Sequence, residues 1–488
     1  MHNFGSNNVK VGQSIKNMSI GKKIKNNFLL VLIKPELLFV ALSLTFGLIM
    51  VFVMPPFTAP DETSHFARAY QVSQGVLVGT TINGETGGYL PFNNDLNNCT
   101  SILTMSKCPD LNQKVDLNET AFVRVSASAY SPIVYIPQMV GIDIGKVAYP
   151  SIYVLSTLGR IFNLLAYTLM FYVAIRIARF GEWVYVVVGL FPVAIQQAAS
   201  LSGDVMTIGL CVIWIAIIGN LFLSSDKIDK RQSIVLILLA IGLALTKQTD
   251  IILAASVLLL PKRVFNNTKQ KVLFIIAVLF TALLAVGLWS LVLHNIHFTY
   301  SYYLGDTVSQ AGQLKAMLHH PSTFIVALFH EYVFEGFHSN GVSPDFLITS
   351  LHSVFSSFSY KLPLLFCILG YVGLLVALLH NDRYETAVNK FKMNRLAIAQ
   401  TIAFLLSLLA IAGALYLNWS PVGSRFIYGV QGRYFLPVIP LLIPIFMVAK
   451  RYISVNMKGK YTMGIVTGLI LSINLLFTII LTIRFFHS

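Results

Sequence analysis

The sequence is short of charge. Only 11% of its 488 residues are charged and only 20 are acidic, about half the charged share of ordinary soluble chains. That shortage excludes a string of soluble domains. The four cysteines constrain little: Cys211 and Cys367 lie in apolar runs and read as membrane-core residues. Cys99 and Cys108 share one loop and are either free or bridged, a bridge requiring that loop to face an oxidising compartment. No repeat or low-complexity tract interrupts the chain, and no ligand spacing calls for a metal. His330, Glu331, Glu335 and His338 come nearest, but they lack the HExxH spacing and read as the wetted side of an interfacial helix.

What fills the chain instead is apolar runs of 18 or more residues, each able to cross about 30 Å of hydrocarbon. They predict an all-α polytopic membrane protein with about eleven transmembrane helices, over 37–56, 152–175, 183–201, 205–223, 233–246, 249–261, 272–294, 361–380, 396–416, 433–449 and 461–483. Residues 1–36 form a basic segment, and 37–488 form one membrane domain. The first run follows six lysines, as in a signal peptide, but it starts late and lacks a small-residue cleavage site, so it is read as a retained helix. Between 233 and 261, Lys247-Gln248-Thr249-Asp250 breaks what would be one long helix, a kind of interruption that marks binding sites. Lys247 is expected either to pair with Asp250 across that break or to face a phosphate.

The net charge of +15 is placed in short loops, which argues for the positive-inside rule and against a nucleic-acid partner. With the N-terminus cytoplasmic, the cytoplasmic segments hold 23 Lys and Arg against 6 acidic residues, while the loop 57–151 holds 5 against 8. Loops 57–151 and 295–360 and the C-terminus then face outward. The stretch Tyr130–Val140, with Pro132 and Pro137, reads as interfacial or re-entrant.

Polar residues from separate parts of the chain fall at that outer face. After Pro60, a helix is expected to open with Asp61 and Glu62, and residues 61, 65 and 68 are spaced to bring an acid, the His65 imidazole and the Arg68 guanidinium together. Asp204 sits in a tight turn, where accepting backbone N–H bonds explains it as well as a function does. Arg425 and Arg433 stand where positive charge is sparse, and arginine suits bidentate phosphate binding. Carboxylates for base chemistry and cations for a leaving phosphate would meet in one cavity.

Pro60-Asp61-Glu62 with His65 and Arg68, together with Gln431-Gly432-Arg433-Tyr434-Phe435, resembles the bacterial membrane family catalogued as domain of unknown function 2142. That family in turn resembles the C-type (GT-C) glycosyltransferases. The resemblance implies a GT-C-like bundle with two large extracytoplasmic loops and a polyprenyl-phosphate-linked sugar as donor, undecaprenyl phosphate being the usual bacterial lipid. It also implies a catalytic acid in the first outer loop, at Asp61 or Glu62, and inversion at the anomeric carbon. A large C-terminal soluble domain is not evident, which leaves acceptor recognition to the two outer loops. The expected activity is transfer of one sugar to a cell-envelope polysaccharide or lipid-linked acceptor, outside the plasma membrane. Asp61, with Glu62 in reserve, would be the base. Arg433, Arg425, Lys247 and Arg68 would bind donor phosphate, with His65, Asp204, Tyr434 and Gln431 in support. No cofactor is called for, although a divalent metal is compatible with the chemistry. A polysaccharide polymerase, a transporter or flippase of lipid-linked saccharides, and a non-catalytic envelope assembly protein are the alternatives.

Overall fold

Apolar runs become helices wherever no proline or polar break intervenes. The computed structural model describes residues 34–100, 105–294, 296, 308–334, 362–380, 389–453 and 460–486. The basic residues before 34, and Glu335 and His338 of the second loop, lie outside these. Helix α1 (Pro35–Val53) opens on a proline, at a position whose N–H would have no helical partner. Helix α2 (Glu62–Ser73) follows, then an antiparallel sheet of β1 (Thr80–Ile82), β2 (Glu85–Leu90) and β3 (Ala121–Arg124), in that order. Next come α3 (Ile136–Ala148), α4 (Ile152–Ile177), α5 (Glu182–Gly189), α6 (Pro192–Ala198) and α7 (Asp204–Leu223). They lead to α8 (Lys230–Thr246), α9 (Ile251–Ala255), α10 (Thr268–Val292), α11 (Gln310–His319) and α12 (Pro321–Phe329). The chain ends with α13 (Leu364–Leu379), α14 (Lys390–Trp419), α15 (Ile443–Ile453) and α16 (Lys460–Phe486).

Among the described residues six helices are long and apolar enough to cross a membrane: α1, α4, α7, α10, α14 and the Gly464–Phe485 part of α16. Of the other five predicted spans, 233–246 lies whole within α8 and 361–380 is a helix over Leu364–Leu379, while three are broken. The stretch 183–201 splits into α5 and α6 where Pro192 cannot continue the hydrogen-bond ladder. The stretch 249–261 is a succession of single turns, Gln248–Asp250, Ile251–Ala255 and Ser256–Leu259. The stretch 433–449 opens as tight turns, Gly432–Phe435 and Ile439–Leu442, around Pro437 and Pro440. Helix α13 has 16 residues, and α8 has 17.

Helix α10 presents Leu273, Ile276, Phe280, Leu283, Leu284, Leu288 and Leu291 to the surroundings. A face this apolar needs lipid as its solvent. The pair α5–α6 is the opposite case: every one of its residues from Trp183 to Ala198 is buried, as expected of a helix apolar all round. Its break frees carbonyls that must find donors inside the bundle. Tyr167 Oη donates to Gly189 O (2.9 Å), and Asn474 Nδ2 donates to Leu190 O (2.8 Å).

The loop 57–151 folds into a small body of its own, with the three-stranded sheet and a Cys99–Cys108 disulfide. The Tyr130–Val140 stretch, expected to be interfacial or re-entrant, becomes a tight turn at Pro132–Tyr135 and then the start of α3. That helix lies hard against α4: a Cβ on Gly141 would sit 2.3 Å from the Leu158 carbonyl oxygen. In the second loop, α11 and α12 are held to α14 through Ala327, Ala412, Tyr416, Ile427 and Val430.

At the other end of the bundle, basic side chains close helix ends. Lys392 Nζ reaches the Leu223 and Ser224 carbonyls (3.3 and 3.4 Å) at the end of α7, and Arg263 donates to Phe222 O. Lys450 Nζ donates to His380 O after α13 (2.7 Å), and Lys271 Nζ to Leu260 O (2.6 Å). Terminal carbonyls without helical partners are good sites for cations.

Candidate active site

Pro55 and Pro60 bracket a short irregular link between α1 and α2, and two of its residues adopt the left-handed backbone, Phe57 (φ 72°) and Asp61 (φ 60°). Bulky residues rarely hold that conformation unless surrounding contacts impose it. The contact here is Glu62. Its carboxylate is 1% exposed and forms a two-pronged pair with Arg160 of α4, Nε to Oε1 and Nη2 to Oε2, both at 2.7 Å. It also accepts from the Phe57 N–H (2.9 Å) and the Leu201 N–H (3.1 Å). Arg160 spends its remaining donors on the carbonyls of Val51, Met54 and Pro55. All five guanidinium N–H groups are thereby matched. Glu62 thus pins the end of α1, the start of α2, α4 and the 200–202 turn together. It is saturated, which corrects its place as reserve base. The partner, Arg160, was missed, although a lone arginine inside an apolar run is the kind of residue that marks a constrained site.

Asp61, one residue earlier, is in the opposite situation: its side chain is 65% exposed. It starts a chain of alternating charges. Arg433 Nη2 lies 3.2 Å from Asp61 Oδ2, and Arg433 Nε lies 3.5 Å from Asp204 Oδ2. Asp204 Oδ1 in turn pairs with Lys247 Nζ at 3.1 Å. Arg433 itself is only 7% exposed, and its Nη1 donates to Gln197 Oε1 at 3.3 Å. Tyr434 lies under both cations, 4.3 Å from Lys247 and 5.5 Å from Arg433 measured to its ring centre. The residues come from the start of α2, the end of α6, the start of α7, the turn after α8, and the turn at Gly432–Phe435. Sequence reading assembled Asp61, Asp204, Lys247, Arg433 and Tyr434 at one place, and the structure brings these five together.

Other expectations are redistributed. Lys247 pairs with Asp204 rather than with Asp250, whose Oδ2 instead accepts from Cys211 Sγ at 3.6 Å. Arg68 does not converge with Asp61. It is fully buried and donates to the carbonyls of Tyr130, Val76 and Leu77 and to Gln71 Oε1, so it ties the loop body together and has little left for a phosphate. Arg425 is exposed beyond α14 and, among the described residues, joins none of these ion pairs. Gln431 contributes its backbone, accepting from the Tyr434 N–H at 3.0 Å as the tight turn begins.

His65 lies beside the cluster, 9% exposed, with Nδ1 2.7 Å from Tyr135 Oη and its ring against Tyr130 and Tyr135. Burial lowers its pKa below the ordinary 6.5, with Arg433 adding to the effect and Asp61, Asp204 and Glu62 opposing it. The ring is therefore neutral at pH 7. With His65 neutral, Asp61, Asp204, Arg433 and Lys247 sum to no net charge. Among the described residues, no group of three or more His, Cys, Asp or Glu side chains has the arrangement of a metal site. Gln197 and Tyr135, unremarkable in sequence because neither carries a charge, enter the site only through the fold.

Comparison with known proteins adds one match. A family model described as a predicted membrane protein (DUF2142) covers residues 44–442, a span that includes every member of the ion-pair chain. No curated protein and no solved structure matches the chain. Six long apolar helices and a family match over most of the sequence place the chain in the DUF2142 family of predicted membrane proteins, to which it belongs.

Proposed function

We propose that this protein is a glycosyltransferase that moves one sugar from a polyprenyl-phosphate donor to a cell-envelope acceptor on the extracytoplasmic side. The observation that carries the reading is Asp61, the most exposed member of a chain of charges whose Asp204 and Lys247 are partly buried, with the buried Arg433 as its direct partner. In the reaction the acceptor oxygen bonds to the anomeric carbon, and the bond from that carbon to the phosphate oxygen breaks with both electrons leaving on the phosphate. The acceptor's hydroxyl proton passes to Asp61. Negative charge thus disappears from Asp61 as it grows on the phosphate. A guanidinium poised on Asp61 follows that shift, stabilising the transition state more than the ground state. Lys247 supplies the second cation, while Glu62 and Arg160 hold the frame.

The outward orientation draws support from two directions. Asp61 and the Cys99–Cys108 bridge belong to the same loop, and disulfides persist in oxidising compartments. The basic residues gather in the segments on the opposite side. The test is transfer by the purified protein in liposomes from radiolabelled polyprenyl-phosphate sugars to envelope polysaccharide, with Asp61→Asn alongside. Incorporation by wild type and none by the folded variant is expected. Equal incorporation by both overturns the assignment of Asp61, and none by wild type from any donor overturns the transferase.

One observation favours a second reading, transport of a lipid-linked saccharide: the buried break between α5 and α6 is of the discontinuous-helix kind that transporters use. Movement of labelled donor across sealed vesicles without any acceptor would select it.

A further inference from the structure

Arg433 has three polar neighbours, hydrogen bonds to Asp61 and Gln197 and a looser ion pair to Asp204, and Gln197 is the least expected. Two of its nitrogens face carboxylates, Asp61 and Asp204, as a guanidinium ordinarily would. The third faces the neutral amide of Gln197, at the last turn of α6. A guanidinium has donors only, so the amide oxygen must be the atom turned toward it, which fixes the Nε2 group on the opposite side of the amide. Gln197 is 1% exposed, and its Nε2 has no hydrogen-bond partner among the described residues. Leaving a buried amide donor unpaired is costly. An apolar side chain of the same length would avoid that cost, and a carboxylate would hold Arg433 more strongly.

We propose that Gln197 is a ligand-binding residue of this site: its oxygen sets the plane of Arg433, and its N–H2 donates to a phosphate oxygen beside that guanidinium. The assignment rests on the transferase reading for the lipid-linked form of the phosphate, but the contact itself concerns only phosphate. The chemistry selects the ligand class. An N–H2 group on an amide already bound to an arginine suits an acceptor-rich anion, and it repels a cation as the arginine does. A neutral amide also leaves the zero charge sum of the cluster undisturbed, so an incoming monoanion meets cations without meeting a third carboxylate. The neighbouring Gln196 provides the contrast: both of its amide atoms are buried and without a hydrogen-bond partner among the described residues, so it makes no hydrogen bond to Arg433.

The experiment is equilibrium binding of undecaprenyl phosphate, and separately of inorganic phosphate, to the full-length protein in detergent, read together with thermal unfolding. Gln197→Met removes both amide functions at nearly constant volume, and Gln196→Met is the control. Loss of a hydrogen bond to a charged group weakens binding roughly 10-fold to 100-fold. Gln197→Met is expected to lose at least fivefold in affinity with only a small change in unfolding temperature, because the unpaired Nε2 donor is gone while Arg433 Nη1 loses its acceptor. The control is expected to keep its affinity. If Gln197→Met fails to fold, Gln197→Leu serves: it is neutral, offers no donor and brings no repelling charge, and it too is expected to lose at least fivefold. A smaller loss in the folded variant, or no phosphate binding by wild type, overturns the proposal. Binding of the lipid alone identifies a lipid-borne phosphate, and equal binding of both identifies free phosphate. A protein that transfers no sugar but binds phosphate through Gln197 would sink the transferase and leave this assignment standing. Transfer unaffected by Gln197→Met would do the reverse.

Discussion

Two carboxylates one residue apart should behave in opposite ways when neutralised. Glu62 is buried, and each of its oxygens accepts from one Arg160 nitrogen and one backbone N–H. In Glu62→Gln, one of those oxygens becomes an N–H2 that confronts two donors, and Arg160 loses its counter-charge at 1% exposure. Breaking one partner of a buried ion pair costs about 3–5 kcal/mol, and each backbone N–H left unpaired adds about 1–3 kcal/mol. The sum is comparable with the entire stability of many proteins, so Glu62→Gln and Arg160→Met should unfold at much lower denaturant in mixed micelles or fail to accumulate. Asp61→Asn, at the exposed end, should change stability by no more than about 1 kcal/mol while abolishing transfer. The double variant Glu62→Leu with Arg160→Met should be less damaged than the sum of the singles, because no isolated charge remains, yet still unstable through the orphaned carbonyls of Val51, Met54 and Pro55. The reasoning is refuted if Glu62→Gln folds within about 1 kcal/mol of wild type and loses transfer, since Glu62 would then be doing the chemistry.

Two further outcomes follow from geometry already described. His65 is held neutral by burial, so between its folded pKa and 6.5 the unfolded chain binds more protons than the folded one. Stability should therefore decline as pH falls below about 6.5, and His65→Gln should flatten that limb of an unfolding-versus-pH curve; an unchanged curve would remove His65 as its origin. Replacing Cys99 and Cys108 by serine opens a bridge between residues nine apart in sequence. For so short a loop the chain-entropy estimate is about 2–3 kcal/mol, and it should appear as faster proteolysis of the 57–151 loop, with the helical bundle intact by circular dichroism.

The bundle was legible because long apolar runs have one physical use, and the cluster was legible because charge is rare enough here for each polar exception to stand out. Asp61, Asp204, Lys247 and Arg433 were readable on those grounds. What sequence did not disclose was partnership. Lys247 has Asp250 three residues away, yet it pairs with Asp204 across 43 positions, because the break after α8 brings it to the start of α7. Arg68 has the helical spacing to join Asp61, but the carbonyls of Val76, Leu77 and Tyr130 surround it first. Asp61 and Glu62 are chemically similar neighbours in sequence, and only the arginine on α4 separates their roles. Where proline divides an apolar run, as at Pro192, one expected helix becomes two short ones: hydropathy registers the run and ignores the missing N–H.

The lysines and arginines that close helix ends opposite the site carry a consequence for how this chain is made. Lys392, Arg263, Lys271 and Lys450 belong to the charges that would decide which way the helices enter the bilayer, and after insertion the same side chains fasten α7, α13 and their neighbours. If the positive-inside rule sets the orientation, insertion during synthesis and rigidity afterwards draw on one set of residues. A lysine moved a few positions along its loop would preserve the charge count that the insertion machinery reads, yet leave a carbonyl without its donor. Such a protein would be correctly threaded and poorly fastened, a defect visible in its lifetime in the membrane rather than in its topology.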